Sequence, residues 1–172
     1  LIAHIKFEAG NRVLEVACNM CTTSIELAQK YQCQIEAVDL NKAALQVGQQ
    51  NVDKNDLNDY IHLTQANAMD LPFEDESFDL VTSNYVYHNI TGKNKQKLLL
   101  ETLRVLKKGG VFVIHDLMSK SRYGDMNKFM EKLKKDGYED VQLIDTTKDI
   151  FMSHKEAMFL CLGGSTLLIG KK

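Results

Sequence analysis

Within seven residues the chain brings together a carboxylate, two thiols and an amide, in the run Glu15-Val16-Ala17-Cys18-Asn19-Met20-Cys21. A C-x-x-C pair can hold zinc or cycle as a dithiol. A structural zinc site needs four ligands, commonly from a second such pair or from two spaced histidines. Cys33 and Cys161 stand alone and no spaced histidine pair follows, so no metal is expected. Further along come Asp39, the run Asn67-Ala68-Met69, the pair Asn84-Tyr85 with His88 close behind, and His115-Asp116. Imidazole is the side chain that exchanges protons near neutral pH, which makes His88 a candidate base. A lone histidine reads equally well as a structural loop residue. His115 and Asp116 are weaker candidates, and His4, His62 and His154 show no partner pattern. The lysines at 93, 95 and 97, and at 132, 134 and 135, read as solvated helix faces.

Short apolar runs must carry these residues. Strands are expected at Val13 to Ala17, Ile35 to Asp39, Ile61 to Thr64, Leu80 to Ser83, Val111 to His115, Val141 to Ile144 and Thr166 to Ile169. Several are apolar throughout, as strands buried on both faces of a parallel sheet must be. Helical stripes lie between them. One follows Thr22, and a second is capped by Asn41 and runs to about Val52. A third carries Leu99, Leu103 and Leu106 with Gly109-Gly110 as its stop. A fourth carries Met126, Phe129, Met130 and Leu133 and ends near Gly137. Strands alternating with helices give a wound α/β sheet, whose ligands bind beyond the carboxyl ends of the strands. Those ends are where the residues above fall.

Composition excludes several other classes. The 172 residues suit one domain, with 44% hydrophobic and 26% charged residues, as in ordinary globular chains. Twenty-one basic against 23 acidic residues leave a net charge of −2, without the basic excess that nucleic acid or an anionic membrane demands. Apolar runs such as Val111-Phe112-Val113-Ile114 are far shorter than the ~20 residues that cross a bilayer. Four cysteines without framework spacing fit a reducing, cytoplasmic setting. The opening Leu1-Ile2-Ala3-His4-Ile5 looks like the tail of a helix. Residues 1–172 are therefore expected to form a single core domain that lacks an N-terminal lid segment.

Taken together, the strand ends resemble the class I S-adenosylmethionine-dependent methyltransferases, particularly the small-molecule branch with the ubiquinone- and menaquinone-type enzymes. Their first loop runs acidic-x-G-x-G-x-G, matched here by Glu15 to Cys21. Asp39 in Ala37-Val38-Asp39-Leu40-Asn41 matches the acidic end of strand two. Leu71-Pro72-Phe73-Glu74-Asp75-Glu76-Ser77-Phe78-Asp79-Leu80-Val81 looks like the turn into strand four. Arg104-Val105-Leu106-Lys107-Lys108-Gly109-Gly110 resembles the approach to strand five, with Lys108 where proline is usual.

The resemblance implies a Rossmann-like, doubly wound seven-stranded sheet of order 3-2-1-4-5-7-6, its last strand antiparallel. It implies S-adenosyl-L-methionine as cofactor and a small-molecule methyl acceptor. Glu15 would meet the methionine ammonium and Asp39 would accept both ribose hydroxyls. The amide oxygen of Asn67 would accept from the adenine amino group, beside Ala68, with Leu40 and Met69 walling the ring. Asn84 and Tyr85 would stand at the methionine end and the transferred methyl, where an aromatic face suits a sulfonium. Tyr85 and Tyr87 alternate along an extended segment, so at most one faces the cofactor. His88 would act as base.

The departure is at the loop glycines, replaced by Ala17, Asn19 and Cys21. Glycine is used there for its left-handed conformations and for close backbone approach. Asparagine tolerates that region, while alanine and cysteine are merely small. Two outcomes follow: a loop that keeps its path under strain, or a degenerate binding module. A nicotinamide oxidoreductase would need G-x-G-x-x-G, which Ala17-x-Asn19-x-x-Thr22 does not supply. Without a lid, the cleft should lie open with an apolar lining, a patch that invites pairing into a homodimer.

Overall fold

A computed structural model describes residues 10–90, 94–147 and 164–172. His4, His154, Cys161, Lys93 and most of the opening segment lie outside the described residues. Seven strands form one sheet: β1 (Arg12–Val16), β2 (Gln34–Asp39), β3 (Ile61–Gln65), β4 (Phe78–Asn84), β5 (Leu106–Leu117), β6 (Glu139–Asp145) and β7 (Ser165–Lys171). Their order is β3-β2-β1-β4-β5-β7-β6. The first five pair in parallel, and β7 runs antiparallel to both β5 and β6. This is the order and direction that the resemblance implied.

Helices α1 (Thr22–Tyr31), α2 (Lys42–Lys54), α3 (Lys95–Arg104), α4 (Lys120–Tyr123) and α5 (Met126–Lys135) cover the sheet. Strand alternation sorts the core into two layers. Leu14, Val16, Val81, Phe112 and Ile114 face Leu98, Leu99 and Leu103 of α3 and Phe129 and Leu133 of α5. Val13, Ile35, Ala37, Leu80 and Val113 face Leu27 and Ala28 of α1 and Leu45 and Val52 of α2. Burial on both faces is why β1 beyond Arg12 reads as an apolar run interrupted only by Glu15.

The Asn41 side chain caps α2 as expected, accepting from the N–H groups of Ala43 at 3.0 Å and Ala44 at 3.4 Å. Two expectations need correction. Gly109-Gly110 does not stop α3, which ends at Arg104; Leu106 and both glycines belong to β5. Gly109 has φ +80°, and a Cβ on Gly110 would sit 2.6 Å from Leu106 Cδ1 and 2.9 Å from the Asp79 carbonyl. The pair thus forms the irregularity where the β4–β5 register shifts between Phe78 and Leu80. Nor is Lys95 a solvated lysine. It is buried, and its ammonium donates to the Ile90 carbonyl.

Candidate functional site

The loop from β1 to α1 keeps the path of a glycine loop without its glycines. Ala17 has φ 57°, Asn19 φ 50° and Cys21 φ 62°, all three in the left-handed region. An L-residue there costs about 1–2 kcal/mol, so the surroundings must hold the loop in place. Several bonds do so. The Cys18 N–H donates to the Val38 carbonyl at 2.9 Å, and the Cys21 N–H to the Cys18 carbonyl at 2.8 Å. From α2, Asn51 Nδ2 donates to the Met20 carbonyl at 3.1 Å. The Asn19 N–H donates to Asp39 Oδ2 at 2.9 Å, while Asp39 Oδ1 accepts from the Asn41 N–H at 2.8 Å. Asp39 therefore fastens the first loop to the end of β2, and each of its oxygens keeps a second lone pair. Sequence reasoning assigned Asp39 a ligand role and missed this bracing.

It also missed Gly48. A Cβ at that position would lie 2.8 Å from Cys21 Sγ and 3.3 Å from the Asn19 carbonyl. The bulk added to the loop at Cys21 is received by a missing side chain on α2. The available signal was an isolated glycine inside a helical pattern, which needs a packing reason. Cys18 and Cys21 are both buried free thiols, and Cys21 packs with Leu27, Leu45 and Val113 in the core.

Glu15 faces α1, where it accepts from the Ser24 hydroxyl. Burial is the largest influence on its carboxyl and pushes it up to about 7, against the opposing hydrogen bonds from Ser24 and Thr23. Above it opens a cavity of about 150 Å³, lined by Glu15, Ala17, Cys18, Asn19, Met20, Thr22, Thr23 and Asn84. Its lining is chiefly polar, unlike the expected apolar cleft. The apolar surface lies beside it instead. Leu40 (64% exposed), Met20 (47%) and Met69 (36%) are three of the four large hydrophobic side chains exposed among the described residues. All three stand at the carboxyl ends of β1, β2 and β3. A separate hollow of about 330 Å³ lies further along, between Met118, Lys120, Met126 and Leu143.

The amide oxygen of Asn67 is not idle. It accepts from the Met69 N–H at 3.0 Å, and the Asn67 carbonyl accepts from the Asp70 N–H at 3.0 Å. An adenine amino group would have to use the remaining lone pair of that oxygen. Ala68, between them, is half-buried against the core.

At the end of β4, Asn84 is exposed and pairs in register with His115. Tyr85 turns out of the strand at φ 55°. Its ring lies 4.5 Å from that of His115, and its hydroxyl is 2.5 Å from Ser165 Oγ. Tyr87 belongs to a single 3-10 turn, Tyr87–Asn89, and not to an extended segment. Its ring is fully buried, with its hydroxyl 2.5 Å from Thr102 Oγ1. The turn next presents His88, whose Nδ1 meets Asp116 Oδ1 and whose N–H donates to Asp116 Oδ2 at 2.9 Å. His115 is buried beside Thr146 and Ser165, and that burial pushes its imidazole down. Asp116 is 1% exposed. Thus the structure brings Glu15, the loop, Asp39 and Asn84 to one end of the sheet, with His88 beside them.

Residues 14–114 match the family model described as methyltransferase domain. The chain belongs to that family. An uncharacterized protein of Haemophilus influenzae is 48% identical over 118 residues, 69% of this chain and 47% of that protein. A demethylmenaquinone methyltransferase of Clavibacter sepedonicus is 39% identical over 106 residues, 62% of this chain and 41% of that protein. The chain spans under half the length of these relatives. Among solved structures, phosphoethanolamine N-methyltransferase 2 of Haemonchus contortus, in complex with S-adenosyl-L-methionine, superposes with a TM-score of 0.77. That match covers 97% of this chain and 50% of the other at 19% identity, and it shows a shared fold.

S-adenosyl-L-methionine is the cofactor of this methyltransferase family. The residues present fit it. The left-handed loop leaves a polar cavity over Glu15, Asp39 retains acceptor capacity at the end of β2, and Leu40 and Met69 offer apolar surface next to it.

Proposed function

We propose that residues 1–172 are the single core domain of a methyltransferase that acts on a small-molecule acceptor. The observation carrying this reading is the set of three left-handed, non-glycine residues, Ala17, Asn19 and Cys21, braced by the Asp39 carboxylate. A chain that had lost its ligand would have no reason to keep a strained loop open over a polar cavity. In this reading Asp39 accepts from the ribose hydroxyls and Glu15 faces the methionine ammonium. Leu40 and Met69 flank the adenine, with Asn67 and Ala68 at its edge. Asn84 holds the methionine end, and Tyr85 and His88 stand toward the acceptor. The cofactor, when bound, supplies an electrophilic methyl on a sulfonium. The protein's share is then mostly positioning, for which effective molarities of about 10⁵ M or more are known, together with taking up any proton the acceptor loses. The exposed Leu40, Met20 and Met69 are the surface that a lid or a second copy in a homodimer would cover. The reading also places the protein in the cytoplasm.

The test uses the full-length protein with methyl-labelled cofactor, and demethylmenaquinol and phosphoethanolamine as first acceptors. Labelled product in the mass spectrum is the expected result. Tight cofactor binding with no methyl transfer to any acceptor screened would make the chain a binding module.

A further inference from the structure

We propose that Asp116 is the positioning residue that holds the His88 imidazole with Nε2 free, so that His88 takes the proton an acceptor gives up at the end of β4. The proposal rests on the methyltransferase reading for the identity of that acceptor. Its geometry is independent of it.

The Asp116 carboxylate, at the end of β5, accepts from four donors. Oδ1 meets His88 Nδ1 and the Leu117 N–H at 2.7 Å; Oδ2 meets the His88 N–H at 2.9 Å and the Tyr123 hydroxyl at 2.5 Å. Two of these bonds come from His88 itself, one from its backbone and one from its ring, which fixes both where the turn sits and how the ring is rotated. A third comes from α4, which closes the far side. A carboxylate gripped in this way has no rotational freedom left to pass on to the histidine.

A carboxylate acceptor at Nδ1 places the proton of the neutral imidazole on Nδ1 and the lone pair on Nε2. Among the described residues, no hydrogen bond is made to Nε2. It is not sealed in the core either, since among the described residues no buried side-chain nitrogen or oxygen lacks a partner, and the His88 side chain is 17% exposed. His88 lies four residues beyond Asn84, which lines the cavity over Glu15. The other groups around the carboxylate do not compete for the role. Burial pushes the Tyr85, Tyr87 and Tyr123 hydroxyls up, so they remain neutral donors, and pushes His115 down. Lys95, also pushed down by burial, spends its ammonium on the Ile90 carbonyl. When an acceptor O–H, N–H or C–H loses its proton, Nε2 receives it. The resulting imidazolium faces an anion already in place and afterwards passes the proton to solvent.

Two-bond nitrogen–proton NMR on the full-length protein reads the tautomer directly. Wild type is expected to show neutral His88 protonated on Nδ1. Asp116→Asn, whose amide can donate to Nδ1, should move that proton to Nε2. With demethylmenaquinol as acceptor, Asp116→Asn and His88→Gln should each lower kcat by about 10²- to 10⁴-fold, with KM and cofactor affinity little changed. His88→Gln keeps the test usable if Asp116→Asn fails to fold. Wild-type His88 protonated on Nε2, or an unchanged kcat in His88→Gln, would overturn the proposal. If wild type turns over no acceptor, the methyltransferase reading is what fails, and the tautomer alone decides this one.

Discussion

Ala17 sits half-buried at φ 57°, in a conformation that glycine adopts at no steric cost. Ala17→Gly should therefore raise unfolding free energy by about 1 kcal/mol, measured by urea denaturation, and leave the loop in place. A loss of stability would mean that the loop is not strained at this residue. Glu15 makes a second prediction, in pH. Its folded carboxyl is raised to about 7 from 4.5 by burial, so the folded state keeps a proton that the unfolded chain releases. Stability from this group is fully present below pH 4.5 and is lost as pH rises through 7, by about 3 kcal/mol in all. Denaturation curves between pH 4.5 and 8 should show this loss in wild type and a flatter profile in Glu15→Gln; parallel profiles would contradict it. The residue types at both positions were legible from the loop pattern. What was not legible is how each is held: the Ser24 hydroxyl on Glu15, the Asn19 N–H on Asp39 and the Tyr123 hydroxyl on Asp116 all depend on elements meeting in space.

Helix α2 does more than cover the sheet, because it carries the glycine that the loop lacks. Gly48→Ala would put a methyl 2.8 Å from Cys21 Sγ and 3.1 Å from Leu63 Cδ2, forcing helix and loop apart. Overpacking of this kind costs about 1–3 kcal/mol, and the displaced loop should also bind cofactor more weakly. Urea denaturation and calorimetry on the one variant check both effects, and unchanged affinity would separate the helix from the site. The element types and their apolar stripes came through from the sequence, as did the Asn41 cap, because local periodicity and capping chemistry decide them. The end of α3 did not. Leu106 continues the helical spacing, but Glu101 and Arg104 are tied to the chain between β3 and β4. Arg104 donates to the Leu71 carbonyl at 3.1 Å, the Phe73 carbonyl at 2.9 Å and Asp75 at 2.6 Å, and Leu106 is drawn into the sheet opposite Phe78. A pattern of period 3.6 carries no information about such a tertiary bond.

Across the whole molecule, the sheet order brings the ends of β1, β2, β3 and β4 to one edge. It places Glu15, the loop and Asn84 around one cavity, with Asp39 bonded to the loop and Asn67 at the neighbouring end of β3. Periodicity alone gave an alternating α/β chain; the antiparallel β7 between β5 and β6 came from the family pattern, since strand direction leaves no mark on side-chain alternation. The Asp39 carboxylate holds both the loop and the start of α2. Its loss should therefore reduce ligand contacts and loop order together. The most direct test is calorimetric titration of S-adenosyl-L-methionine into the full-length protein and its Asp39→Ala variant. Clear binding to wild type is expected, with an affinity lower by roughly 10- to 100-fold or more in the variant, since charge-assisted hydrogen bonds are worth about 1.5–3 kcal/mol each. No heat of binding to wild type at millimolar cofactor, or equal affinity in the two proteins, would contradict it.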